Sequence, residues 1–380
     1  MIRATFVAVA SLSIVQPALA HHGGGTFDNT KEITLTGKLT RFDFINPHAW
    51  IYFDVTGQDG KVSRFRCETR AATVLRRSGW RPEMFRVGQT IVIEGQPDRL
   101  DPNSCYLNTL VLEDGSRADR YGQFTRGTPP ATATARTRAP RRPTGEPNIS
   151  GDWAPEQLVM TDPRGRGGAL VPLSTVSNFK PGEGRIGGGG RGRGTGPRLY
   201  GGTELTTLGE QAAASFGTFA VKDNPRMRCE TTSIIFDWAF DGPVNRITQN
   251  RDTIVIRYGQ LGLTRTVHMN MKAHPAGLKP TRAGHSIGRW ENDVLIVDSA
   301  GFLPGVLNPP VLNSDKLHVV ERFALEPAKM ELTRSYEAED PVYLKGTYSG
   351  RDTIQMADLP YQPDPCKELG FVDYSKEAGK

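Results

Sequence analysis

Arg70-Ala71-Ala72-Thr73-Val74-Leu75-Arg76-Arg77-Ser78-Gly79 is the stretch on which the fold of the first part of the chain turns. Ala71, Val74 and Leu75 recur at helical spacing, and Gly79 supplies a stop. Upstream, Glu32–Phe44, His48–Val55 and Lys61–Glu68 read as strands, with Gly57–Gly60 as the turn between the last two. Downstream, Gln89–Gln96 and Tyr106–Glu113 return to strand-like composition. Three strands, a helix and two strands is the element order of an OB-fold, a small five-stranded barrel. Without the helix the same pattern would read as generic all-β.

Ahead of this module, residues 1–20 read as a secretory signal. Arg3 gives a positive start, Phe6–Val15 an apolar core, and Ala18-Leu19-Ala20 a small-residue cleavage site. The apolar run is too short to cross a bilayer, and no later run approaches ~20 residues, so no transmembrane segment is expected after cleavage. The expected location is the periplasm or the exterior. Cleavage after Ala20 leaves His21-His22-Gly23 at the new terminus, where an α-amine and an imidazole on one residue form a chelating pair. It also removes Arg3, lowering the formal charge of +6 by one. That mild excess is weak evidence for nucleic acid or membrane binding.

Behind the small barrel, expected over residues 21–119, residues 120–147 are rich in Thr, Ala, Pro and Arg and read as a disordered linker. A second domain is expected over 148–375, with a flexible Gly/Arg insert at 182–197. That insert resembles an RGG segment but lacks interleaved aromatics, so nucleic acid is not an expected partner. Thr207-Leu208-Gly209-Glu210 has capping-box spacing ahead of a helix over 208–219. Then strand follows strand: 244–249, 253–258, 263–271, 286–290, 294–298, 316–325, 329–337 and 345–355. Tight turns at Asn250-Arg251-Asp252 and Glu291-Asn292-Asp293 argue for a lipocalin-like antiparallel barrel or a strongly curved sheet.

Cys67, Cys105, Cys229 and Cys366 are four in an exported chain, so disulfides are expected, although four cysteines allow three connectivities. If the domains fold separately, the pairs are Cys67–Cys105 and Cys229–Cys366. The absence of any C-x-x-C pair argues against zinc ribbons and thioredoxin-like chemistry.

Two constellations carry candidate chemistry. His21 and His22, with His48 from Asn46-Pro47-His48-Ala49-Trp50, would give an all-nitrogen set that suits copper(II) better than calcium or magnesium. In the second domain, alternation puts Glu321 on the face of Leu317, Val319 and Phe323, and Asp298 on the face of Val294 and Ile296. With His285, Trp290 and His318 these are the candidate ligand-binding residues of a barrel pocket, against a buried salt bridge or a barrel-rim network as the structural alternative. Gly284-His285-Ser286-Ile287-Gly288 matches G-x-S-x-G, but a strand follows it where a nucleophile elbow needs a helix. The match is read as coincidence, and no catalytic residue is assigned.

His21-His22-Gly23, Phe27-Asp28, Leu35-Thr36-Gly37, Asn46-Pro47-His48-Ala49-Trp50, Ser78-Gly79-Trp80 and Asp114-Gly115 together resemble an exported bacterial domain family of unknown function, over roughly residues 21–118. Cys67 departs from that family at a strand position where a large apolar residue is expected. Asn224–Cys229, Gly284–Trp290, Gly301-Phe302 and Leu317–Arg322 resemble a second uncharacterised exported family, ending at Asp340-Pro341. The small barrel is also similar in outline to OB-type periplasmic copper/silver chaperones, but it lacks their methionine pair. Neither uncharacterised family implies an activity. The expectation is therefore an exported binding protein, with an enzyme pocket in the second barrel or an envelope-stress interaction module as the alternatives. Oligomeric state is not legible.

Overall fold

The computed structural model describes residues 27–120, 139–160, 170–178, 198–217, 220–363 and 365–367. Its first part contains β1 (Ile33–Asp43), β2 (Trp50–Thr56), β3 (Val62–Glu68), α1 (Ala72–Arg77), β4 (Thr90–Pro97), β5 (Ser104–Leu112) and a short β6 (Arg117–Asp119). The order β3-β2-β1-β4-β5 closes because β3 also pairs in parallel with β5, leaving β6 on the outside of β5. This is the five-stranded closed barrel expected from the helix between the third and fourth strands. Leu39, Ile51, Phe53, Ile91, Ile93 and Leu107 fill its axis, and Leu75 of α1 with Trp80 covers one end. Cys67 and Cys105 face each other across the closing pair and are bonded, with Cα atoms 4.5 Å apart.

The second part opens with β7 (Gly151–Ala154), a small hairpin of β8 (Leu158–Met160) and β9 (Leu170–Pro172), and α2 (Thr207–Ser215). The Thr206 hydroxyl caps α2, accepting from Gly209 N at 3.1 Å, one residue ahead of the cap expected from the sequence. The strands β10 (Asn245–Gln249), β11 (Thr253–Arg257), β12 (Thr264–His268), β13 (His285–Glu291) and β14 (Val294–Ala300) follow. A two-stranded excursion, β15 (Gly305–Asn308) with β16 (Val311–Asn313), precedes β17 (His318–Glu326), β18 (Glu331–Glu339) and β19 (Tyr348–Met356). These close as β10-β11-β12-β13-β14-β17-β18-β19-β7, a nine-stranded barrel.

One pairing departs from the antiparallel expectation: β12 and β13 run parallel, with Val267 opposite Ser286. Parallel neighbours cannot be joined by a tight turn. The connection over 269–284 must therefore travel back along the barrel wall, and that return path carries His274.

The barrel axis is occupied. Trp153, Trp238, Tyr258 and Phe323 are fully buried, and residues Ile234 and Ile235 enter from the segment ahead of β10. Glu321 points into this core and binds Arg265 (2.5 Å) and Arg334 (3.3 Å). Arg334 also donates to Asp352 (2.6 Å) and to the carbonyls of Ile234 (2.9 Å) and Ile235 (3.1 Å). A buried carboxylate between two guanidinium groups is how such charges are tolerated in a core.

The two barrels are docked. Asp241 takes Arg70 from the first barrel (3.2 Å) and Arg226 from the second (2.9 Å) on its two oxygens. Arg77 of α1 is 5% exposed and donates to Asp358 (3.1 Å), Pro155 O (2.8 Å) and Gly242 O (3.0 Å). The last described residues cross back to the small barrel, where Asn46 N donates to Pro365 O and Lys367 N donates to Asn46 O. Cys366 is bonded to Cys229, as separate pairing within each domain requires. Residues 139–147, placed in the linker by composition, hold specific contacts on the second barrel: Arg141 pairs with Asp293, and Arg142 donates to Asn250 O at 3.1 Å.

Candidate functional site

Alternation along β13, β14 and β17 sorts the sequence candidates onto two sides of the barrel wall. Ser286, Gly288, Leu295, Val297, Ser299, Val319, Glu321 and Phe323 are buried inward, so His285, Asp298 and His318 project outward. The expected single pocket containing both sets does not form. Glu321 is 0% exposed inside the core, Trp290 packs against that core at the barrel end, and the other three meet on the outer surface.

There Asp298 Oδ1 is 2.9 Å from His318 Nε2 and 2.9 Å from His274 Nε2. His274 Nδ1 is in turn 2.8 Å from His285 Nδ1, whose ring stacks on His268 with centroids 5.0 Å apart and planes 12° from parallel. Four of the seven histidines in the chain thus gather about one carboxylate. His274 arrives on the returning connection between the parallel strands, and His268 ends β12.

The electrostatics follow from this crowding. Burial pushes the Asp298 carboxyl upward, but hydrogen bonds from His274 and His318 outweigh it and hold the group below the usual carboxylate range. Burial, with the neighbouring His274 and His268, holds His285 below the ordinary histidine value. His285 is therefore a neutral ring at neutral pH. Beside it opens a cleft of about 390 Å³, lined by Thr264, Thr266, His268, Thr281, Arg282 and His285 among others, with no Asp or Glu in its wall. As they stand, no three His, Cys, Asp or Glu side chains among the described residues are spaced to hold a metal ion.

Ser286, the serine of the G-x-S-x-G match, is 1% exposed and its hydroxyl is 2.7 Å from that of Ser299 inside the barrel. It cannot meet a substrate. At the other candidate centre, His21 and His22 lie outside the described residues. His48 lies at the start of β2 with Nδ1 against the carboxylate of Glu68, which is 0% exposed. Burial lowers the His48 pKa, but attraction to Glu68 outweighs it and the net shift is upward. The sequence reading missed His268 and His274. The outward parity of His268 with Thr264 and Thr266 was available as a signal; for His274, in an aperiodic loop, nothing local was.

Among the described residues no helix is long and apolar enough to cross a membrane. No curated protein sequence matches the chain. Residues 8–105, reaching from ahead of β1 to the start of β5, match the model of a family of unknown function (DUF6152), so it is the small barrel that resembles that family.

Proposed function

We propose that this is an exported binding protein whose working surface is the outer wall of the second barrel, where the cleft beside His285 takes a small anion. The observation that carries this is the composition of the wall: Arg282, two histidines and three threonines, without a carboxylate. A guanidinium with hydroxyl and imidazole N–H groups lining one recess favours an oxyanion. Arg265 also borders the recess, but its charge is matched by Glu321 in the core. The axis of the barrel is packed with buried side chains, Trp153, Trp238, Tyr258 and Phe323 among them.

The test is an NMR titration of the histidine side chains with inorganic phosphate and with citrate. His268 and His285 should shift saturably while His48 stays put, and Arg282→Ala should weaken the response by about tenfold. Unmoved His268 and His285 signals with both anions would sink this reading.

A second reading concerns copper at the processed terminus, through His21, His22 and His48. It is favoured by the Glu68 contact, which engages Nδ1 of His48 and leaves Nε2 as the ligating nitrogen, the usual arrangement of a metal-bound histidine. Copper(II) binding by the processed chain, lost when one residue is added before His21, would support it. Equal binding by both forms would end it.

A further inference from the structure

Two imidazole nitrogens converge on one carboxylate oxygen on the outer wall. Asp298 Oδ1 lies 2.9 Å from both His274 Nε2 and His318 Nε2, and the three residues come from β14, the returning connection and β17. We propose that a divalent transition-metal ion of the zinc or cobalt kind binds between His274 Nε2, His318 Nε2 and the Asp298 carboxylate. This rests on the outer-wall cluster being the working site, and gives it a ligand independent of the anion.

The donor chemistry selects the ion. Two imidazoles and one carboxylate suit borderline metals, whereas calcium and magnesium prefer all-oxygen sets. Ligand bonds of about 2.0–2.2 Å at a tetrahedral centre put neighbouring donor atoms roughly 3.3 Å apart. Taking an ion therefore requires the two 2.9 Å hydrogen bonds to open slightly and the two ring nitrogens to come to about the same separation from each other, a rearrangement of the side chains from their present spacing. His318, with 42% of its side chain exposed, has the freedom to make that move. Three protein ligands leave at least one position open, the arrangement of sites that act on a bound molecule rather than merely brace a fold.

The surrounding contacts match what such a site requires. A metal-bound histidine uses its second ring nitrogen as a hydrogen-bond donor, which fixes its tautomer. His274 Nδ1 already faces His285 Nδ1 at 2.8 Å, and His285 is clamped by its stack on His268. Without metal, His274 and His318 donate Nε2–H to Asp298. On binding, each ring would carry its proton on Nδ1 in place of Nε2; His274 Nδ1–H then donates to His285 Nδ1, whose own proton must shift from Nδ1 to Nε2. His285 is also a wall of the anion cleft, so the ion would sit one residue away from the proposed anion.

The experiment uses the full processed chain with one residue added before His21, so that the terminal histidines do not compete. After treatment with a chelator it is titrated with zinc(II) by calorimetry and with cobalt(II) by visible absorption, and ring tautomers are read by nitrogen-15 NMR. One ion should bind with cobalt bands of nitrogen/oxygen ligation, and the His274 and His318 signals should switch tautomer. His274→Ala, His318→Ala and Asp298→Asn should each weaken binding by about tenfold or more, while Lys61→Ala, at an exposed position of the small barrel, leaves it unchanged. No binding by a chain that circular dichroism shows to be folded, or equal affinity in all variants, would overturn the proposal. If His268 and His285 still respond to phosphate in that case, the anion reading stands and the metal alone is excluded.

Discussion

At the scale of single residues, Glu321 shows why the same carboxylate can look like a ligand group in the sequence and be none in the molecule. Alternation correctly turns it inward; what alternation cannot supply is the pair of arginines, from β12 and β18, that close around it. Replacing it with Ala leaves the buried Arg265 guanidinium without its anion, while Arg334 keeps only Asp352, and should cost about 3–5 kcal/mol, read by urea denaturation. A variant as stable as the parent would mean the core rearranges. His48 gives a pH signature. Its folded pKa lies above the ordinary 6.5, so its pairing with Glu68 stabilises fully below that value and fades as pH rises through the folded pKa. The stability gap between the parent and His48→Gln should therefore be widest below about pH 6.5 and shrink on the alkaline side. His285 works in the opposite sense. Its depressed pKa makes acid destabilising below about pH 6.5, where the unfolded ring protonates first, and His285→Gln should remove that part of the acid sensitivity.

At the scale of elements, strands such as β17 and β18 were legible because each has one buried and one more open side, and period-two alternation records that difference directly. The helix α1 was legible for the same reason at a period near 3.6. What alternation does not record is the direction of a partner strand, so the parallel pairing of β12 with β13 was hidden. With it was hidden the crossing connection that delivers His274. The candidate site was therefore half visible: His285, Asp298 and His318 lie on strands, while the residue joining them lies on a loop. Local contacts also override propensity in α2. Gly209 sits inside that helix, where Ala would ordinarily gain about 1 kcal/mol. A Cβ there would stand 2.4 Å from Tyr343 O, so Gly209→Ala should lower the melting temperature instead. An unchanged or raised midpoint would show that α2 can slide away from its neighbour.

At the scale of the whole molecule, the docked arrangement depends on α1 as much as the small barrel does. Arg77 is buried between the barrels, with its guanidinium spent on Asp358, Pro155 O and Gly242 O, while Gln157 donates to its own carbonyl. Arg77→Ala should uncouple the two barrels, turning one calorimetric transition into two, with the small barrel's own stability little changed. A single transition at an unaltered temperature would show that the Asp241 bridge and the tail contacts suffice. Composition made the domains look like beads on a string because it reports which segments cannot form a core. It does not report a seam built from arginines, whose long side chains reach across from surfaces that read as solvated.

The bond between Cys229 and Cys366 has a consequence in time. Residues 365–367 lie at the far end of the described chain, yet they form backbone bonds with Asn46 near its beginning. A polypeptide emerging from its N-terminus can complete the first barrel early, whereas this contact must await residues more than three hundred positions further along. Cys366 can join Cys229 only where conditions are oxidising, so the seam closes completely only there.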